Sequence, residues 1–323
     1  MPNTPRKILI TGATGFIGKY IVEHALKNGY EVYLAVRDKS DFSRIADLDF
    51  KKIIVDFSSE ESIANSFSSN VVFDTVVHSA GVKSCFVTND YYTYNVALTK
   101  NLCEVLHKRK LLKGKFIYMG SLAALGPGNK VSLADITENK VANPISDYGK
   151  SKLLAEKEVV RSGLSYTILR PTAVYGKGTS DYNALVKIVK KGFAVYITKP
   201  SQRLSFVHAE DVARVVFLTD KVSQGNQIFN VSDGVDYTLA SIYEIMASAL
   251  KVKLMLKLRI PFFLVLAVAQ YNHYIERFFK IENALNSFEK ANEVTAPNWK
   301  CSSKKLKDRL GFKTLHTLRE IID

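Results

Sequence analysis

The stretch Lys7 to Gly18, Lys-Ile-Leu-Ile-Thr-Gly-Ala-Thr-Gly-Phe-Ile-Gly, constrains the fold more than any other. Ile8, Leu9 and Ile10 are apolar without alternation, the pattern of a strand covered on both faces, as in a parallel sheet. Three glycines follow, and then an amphipathic stretch, Lys19 to Asn28. Gly12 permits a tight turn out of the strand. Gly15, lacking Cβ, allows a pyrophosphate close to the backbone, and Gly18 lets the helix pack on the sheet. The free N–H groups at the helix start then face a negative charge.

Strand and helix patterns alternate to about residue 170, which predicts an α/β fold with a doubly wound parallel sheet, the Rossmann arrangement. Strands are expected at Glu31 to Val36, Lys51 to Val55, Thr75 to Val77, Phe116 to Met119 and Tyr166 to Leu169, the last broken by Arg170-Pro171. Helices are expected after Ser58, over Asp90 to Lys110, and from about Tyr148 to Arg161; residues 122–145 read as a loop rimming a site. Residues 1–170 are thus expected to form a dinucleotide-binding domain. Residues 171–323 form a smaller, mainly substrate-binding region interleaved with it, because segments around 204–232 read as returning to the first domain.

The cofactor reading turns on strand ends. After the second strand come Arg37, Asp38 and Lys39. An arginine there accommodates a 2′-phosphate and an acid a 2′-hydroxyl, so NADP is expected, with Asp38 leaving NAD open. Asp56, beside Phe57, reads either as a partner for the adenine amino group or as a helix cap. Small residues Ser79, Ala80 and Gly81 leave room beside a cofactor, and His78 reads as a packed strand-end residue. No histidine or cysteine stands at metal-ligand spacing, so no metal is expected. Three cysteines in an odd set indicate reduced thiols, and the polar start of the chain indicates no targeting segment and a cytoplasmic setting.

The chemistry converges on three residues. Tyr148 and Lys152 are four apart at a helix start and share one face. A phenol titrates near pKa ~10, and a neighbouring ammonium is expected to lower that value. Lysine also reaches ribose hydroxyls. Ser121 follows a strand, where parallel sheets place their ligands, and can bind a substrate oxygen. Together they can polarise a carbonyl or alcohol while hydride moves to or from nicotinamide.

Taken jointly, these motifs resemble the extended short-chain dehydrogenases/reductases over nearly the whole chain. Thr11 to Gly18 is similar to the family's cofactor turn, Ser121 with Tyr148-Gly-Lys-Ser-Lys152 to its catalytic set, and Asn95 to the asparagine on its fourth helix. Leu169-Arg-Pro171, Val174 to Gly178, Phe206 to Val212 and the tail Trp299 to Phe312 resemble its later signatures. The resemblance implies cofactor contacts at Gly12, Thr14, Gly15, Phe16, Ile17, Gly18, Arg37, Asp56, Phe57, Ser79, Ala80, Gly81, Tyr148, Lys152, Pro171 and Val174. It implies Tyr148 as acid/base, with Ser121, Lys152 and Asn95 completing the site. It also implies homodimers through the helices near Asp90–Lys110 and Tyr148–Arg161. Val36-Arg37-Asp38 looks like the strand end of dihydroflavonol reductases, and the C-terminal third is closer to hydroxysteroid dehydrogenases.

The substrate side depends on Ile260 to Ala269, apolar apart from Pro261 and flanked by Lys257, Arg259, His273 and Arg277. It is shorter than the ~20 residues that span a bilayer, and reads as a core helix, an apolar substrate wall, or a peripheral membrane contact. The formal charge of +14 suits a solvated basic surface or an acidic membrane, and no run of like charges points to nucleic acid. The leading expectation is a reductase of a ketone on an apolar, lipid-like or sterol-like molecule such as a keto-sphingolipid. A nucleotide-sugar epimerase or dehydratase, using Lys199 and Arg203 for a diphosphate, is the alternative. A catalytically silent NADP-binding sensor or scaffold is the alternative of another class.

Overall fold

In the computed structural model, the described residues are 5–68, 71–85, 87–177, 179–222, 225–253, 255–261, 263–264 and 288–320. Seven parallel strands form one sheet: β1 (Lys7–Thr11), β2 (Glu31–Val36), β3 (Lys51–Ile54), β4 (Phe73–His78), β5 (Leu112–Met119), β6 (Tyr166–Pro171) and β11 (Gln227–Val231). Their order is β3-β2-β1-β4-β5-β6-β11. This doubly wound order reverses between β1 and β4, so the crevice lies at the carboxyl ends of those strands.

Helices cover both faces, because every crossover between parallel strands must climb over the sheet. On one face, α1 (Phe16–Lys27) packs with α7 (Ala209–Asp220) over Ile8, Ile10, Val77 and Ile117. On the other, α2 (Glu60–Ser66), α4 (Leu98–Lys108) and α5 (Asp147–Arg161) cover Leu9, Val76, Phe116 and Tyr118. The short α3 (Thr88–Tyr91) runs into α4 through a π turn, Tyr92–Ala97. The edge strand β3 carries Lys51 and Lys52 exposed, a charge pattern that discourages edge pairing.

The second region contributes α6 (Ser180–Lys190), α8 (Leu239–Ala249), α9 (Phe288–Thr295) and α10 (Lys304–Leu310). Three small sheets join β7 (Ala173–Tyr175) to β10 (Phe206–His208), β9 (Arg203–Leu204) to β12 (Tyr237–Thr238), and β8 (Phe193–Tyr196) to β13 (Leu256–Arg259). Tyr175, Tyr196, Tyr237 and Met246 form the core of this region.

Some local expectations change. Arg170-Pro171 does not break its strand: both residues stay in β6 and pair with Asn230 and Val231. A proline is tolerated there because pairing with β5 ends at Leu169, so its missing N–H removes no ladder hydrogen bond. Asp56 does not cap α2. Its carboxylate accepts from the Ser58 N–H and hydroxyl, organising the turn, while Ser59 caps the helix by accepting from the Ser62 N–H. Of the Ile260–Ala269 stretch, 262 and 265–269 lie outside the described residues; Phe263 and Leu264 are exposed. Among the described residues, no helix is long and apolar enough to cross a membrane.

Candidate active site

The glycine turn is built by backbone contact. Gly12 has φ +71° and lies so close to the Ser79–Ala80 peptide that a Cβ would come within 2.6 Å of it. At Gly18 a Cβ would sit 2.1 Å from the Gly12 carbonyl oxygen, so this glycine lets the helix close on its own turn rather than on the sheet. Gly15 is exposed, with only the Gly12 oxygen near its missing Cβ. Helix α1 starts at Gly15 with no capping side chain and no acid in its first turn, leaving its first N–H groups for an anion. Thr14, Phe16 and Ile17 are partly exposed around this start, Ser79 and Ala80 lie against Gly12 after β4, and Gly81 lies beside Asn95 and Lys152. These residues fit a dinucleotide pyrophosphate. Arg37 and Lys39 stand exposed at the end of β2, and neither makes an ion pair among the described residues.

Ser121 follows β5 at the same sheet edge, its Oγ accepting the Ala123 N–H at 3.2 Å. Tyr148 lies in the first turn of α5, which Ser146 caps by accepting the Gly149 N–H at 3.0 Å. The Ser121 hydroxyl lies near enough to the Tyr148 phenol to act on its titration. Burial pushes the Tyr148 phenol up to about 12; the nearby Ser121 hydroxyl opposes this, and the Glu293 carboxylate adds to it. The phenol is raised, contrary to the expectation that it would be lowered by the Lys152 ammonium. That ammonium is turned to the Met119 carbonyl at 2.7 Å and over the Tyr118 ring at 4.7 Å, beside Gly81. Burial lowers Lys152 to about 8, and Glu156 one turn along the helix counteracts that shift.

Asn95 occupies the π turn and is 1% exposed. Its Nδ2 donates to the Val82 carbonyl at 3.1 Å and to Ser151 Oγ at 3.0 Å, and its Oδ1 accepts the Val82 N–H at 2.8 Å. With its polar atoms so engaged, Asn95 positions the loop after β4 against α5. His78 is fully buried between Thr11 Oγ1 (2.6 Å) and Thr99 Oγ1 (2.9 Å), and burial drives its pKa down to about 3, which leaves it a neutral strut. Asp56 and Phe57 follow β3. Pro171 ends β6, and Val174 pairs with Val207 and packs on the core.

Sequence reasoning missed two supports. Arg170 clamps Glu156 with Nε at 3.0 and 3.1 Å from its two oxygens and Nη2 at 2.6 Å. Both side chains are buried, and Glu156 sits four residues after Lys152, a spacing that could have exposed it. Glu293 of α9 reaches the start of α5 and bonds Ser146 Oγ. No signal near the Tyr148 motif marks so distant a residue.

A dinucleotide crevice lined by a serine, a tyrosine and a lysine defines a nicotinamide-dependent enzyme of the extended short-chain dehydrogenase/reductase class, acting on alcohol or ketone groups. The chain belongs to the NAD dependent epimerase/dehydratase family, whose model matches residues 8–232. It is 32% identical over 260 residues to a UDP-glucose 4-epimerase of Vibrio cholerae, covering 76% of each chain. It is 22% identical over 240 residues to a sterol-4-alpha-carboxylate 3-dehydrogenase, decarboxylating, of Dictyostelium discoideum (71% of this chain, 72% of the relative). With a ceramide reductase of Caulobacter vibrioides it shares 24% identity over 206 residues (64% and 58%). Among solved structures, the Bordetella bronchiseptica enzyme WbmG in complex with NAD and UDP matches at TM-score 0.76 and 18% identity, covering 99% of this chain and 93% of that one.

Proposed function

We propose that this protein is an NADP(H)-dependent oxidoreductase that reduces a ketone, or oxidises the corresponding alcohol, on an apolar, lipid-like or sterol-like substrate. The observation that carries the reading is the placement of Ser121 near the Tyr148 phenol at the carboxyl edge of the sheet. A phenol held up to about 12 keeps its proton throughout the neutral range and can give it to a ketone oxygen. Ser121 orients that oxygen. Lys152, fixed by the Met119 carbonyl and supported by Glu156, reaches toward the space beside Gly81, where a ribose would lie in this reading. NADPH, when bound, supplies the hydride. Arg37 at the end of β2 is the residue that would meet its 2′-phosphate.

The substrate class rests on a second observation. Strand β13 exposes Leu256 and Leu258 together with Lys257 and Arg259, and Phe263 and Leu264 are exposed just beyond. Alternation along the strand puts the two leucines on one face and the two cations on the other, and an exposed apolar face bordered by basic residues suits a lipid-like ligand. Two relatives carry a sterol and a ceramide in their names.

The epimerase relative favours a second reading, a nucleotide-sugar epimerase. Against it, Arg203, a cation that would have to hold the diphosphate, is paired with Asp236. The two readings separate in one assay of NADPH and NADH oxidation with sterol ketones and a keto-sphingolipid in mixed micelles, run beside interconversion of UDP-sugars. Turnover of UDP-sugars alone would refute the proposal. Equal NADPH preference in Arg37→Ala and wild type would refute the role of Arg37.

A further inference from the structure

The start of α7 gathers donor atoms that the oxidoreductase site does not use. His208, Glu210 and His316 each bring one ligand atom within 4.8 Å of the other two. One Glu210 oxygen lies 3.2 Å from His316 Nε2. The other lies 3.6 Å from Nε2 of His24 on α1, a buried nitrogen with no partner at hydrogen-bond length. In a tetrahedral zinc site with bonds of 2.0–2.1 Å, neighbouring donor atoms stand about 3.3 Å apart. The Glu210–His316 spacing is close to that value, and the His208 ligand atom stands within 4.8 Å of both.

The cluster is built rather than accidental in its support. His316 sits on the tail after α10, and its backbone is fixed by Asp211, a fully buried carboxylate. Asp211 accepts the N–H groups of Leu315 and His316 at 3.1 Å and the Thr314 hydroxyl at 2.7 Å. The His208 ring is held against Tyr175 and His316, with centroids 5.4 and 4.6 Å away. Partners that orient a metal-binding imidazole are the usual outer layer of a metal site. Glu210 and His316 remain about one-third exposed, so an ion can enter from solvent.

We propose that His208, Glu210 and His316 form a binding site for a divalent transition-metal ion of the zinc class, with His24 facing it across the second Glu210 oxygen. Two imidazoles with one carboxylate select zinc, cobalt, nickel or copper over magnesium or calcium. Bound there, the ion ties the tail to the first turn of α7 beside α1, a structural staple apart from Tyr148. His208 and His316 lie far apart along the chain, so no sequence spacing brings them together.

The test uses the full chain without a histidine tag, stripped with chelator and desalted. Zinc titration calorimetry and metal analysis should give one equivalent per chain, zinc should raise Tm, and cobalt should give the strong visible absorption of a tetrahedral site. His316→Gln should weaken zinc binding by at least about tenfold and abolish the cobalt band. Glu210→Gln, which keeps the side-chain shape, should do the same if the tail is disturbed in the first variant. Equal zinc affinity in wild type and both variants, or an octahedral cobalt spectrum in wild type, would overturn the site and leave a Glu210–His316 contact beside edge-to-face rings.

Discussion

Glu156→Gln tests the buried support beneath Lys152. In the native protein the Arg170 guanidinium sets three hydrogen bonds onto Glu156, with side-chain exposures of 7% and 4% for the two residues. Neutralising the acid strands a buried cation, which costs about 3–5 kcal/mol where nothing replaces the charge. Glutamine keeps one acceptor oxygen, so the loss should fall near the lower end, about 3 kcal/mol, a large share of the ~5–15 kcal/mol stability of a domain. Urea unfolding at neutral pH measures it.

The same change removes the one charge that raises Lys152 against burial, so its pKa should drop from about 8. The limb of kcat/KM for NADPH that requires the ammonium should then move to lower pH. Glu156→Gln with Arg170→Met separates the two effects. Removing both charges should restore stability to within about 1 kcal/mol of wild type, while the shifted pH limb persists. A single variant that unfolds less than about 1 kcal/mol below wild type would refute the energetic reasoning. A double variant with the native pH profile would refute the link to Lys152.

Two further outcomes follow from the site and its surroundings. Tyr148→Phe should lower kcat by about 10²–10⁴-fold with little change in NADPH affinity, read by steady-state kinetics and fluorescence titration; full turnover would exclude Tyr148 as the proton donor. Asp233, 2% exposed, is raised by burial to about 6 although Val235 N–H and Tyr237 O–H bond it. A carboxyl raised above its unfolded value of 3.8 contributes stability fully at low pH and loses it as pH rises through 6. Asp233→Asn should flatten that fall, on the order of 2–3 kcal/mol, in unfolding measured from pH 4 to 7.

The sheet and its crevice were legible because local pattern determines them. The run Ile8 to Ile10 with the following glycines, and the residues Glu31 to Val36 and Phe116 to Met119, read directly as strands. Ser121, Tyr148 and Lys152 were legible because one strand end and one helical turn place them. What stayed hidden depends on contacts distant in sequence. The direction of Lys152 is set by the Met119 carbonyl, and the lift on the Tyr148 phenol comes partly from Glu293 on another element. Asn95 read as a catalytic residue, whereas its amide is engaged by Val82 and Ser151. The short pairings of β7 with β10 and β9 with β12 have too few residues to show a period.

The close backbone fit of Gly12 against Ser79–Ala80, and of Gly18 against Gly12, has an engineering consequence. A substitution at either glycine meets main chain that cannot rotate aside, so the anion grip tolerates almost no redesign. The solvated corner at Arg37 carries no such restriction. In the proposed reading, retargeting this enzyme between the two nicotinamide dinucleotides becomes a problem of surface charge at that corner, separable from the glycine turn.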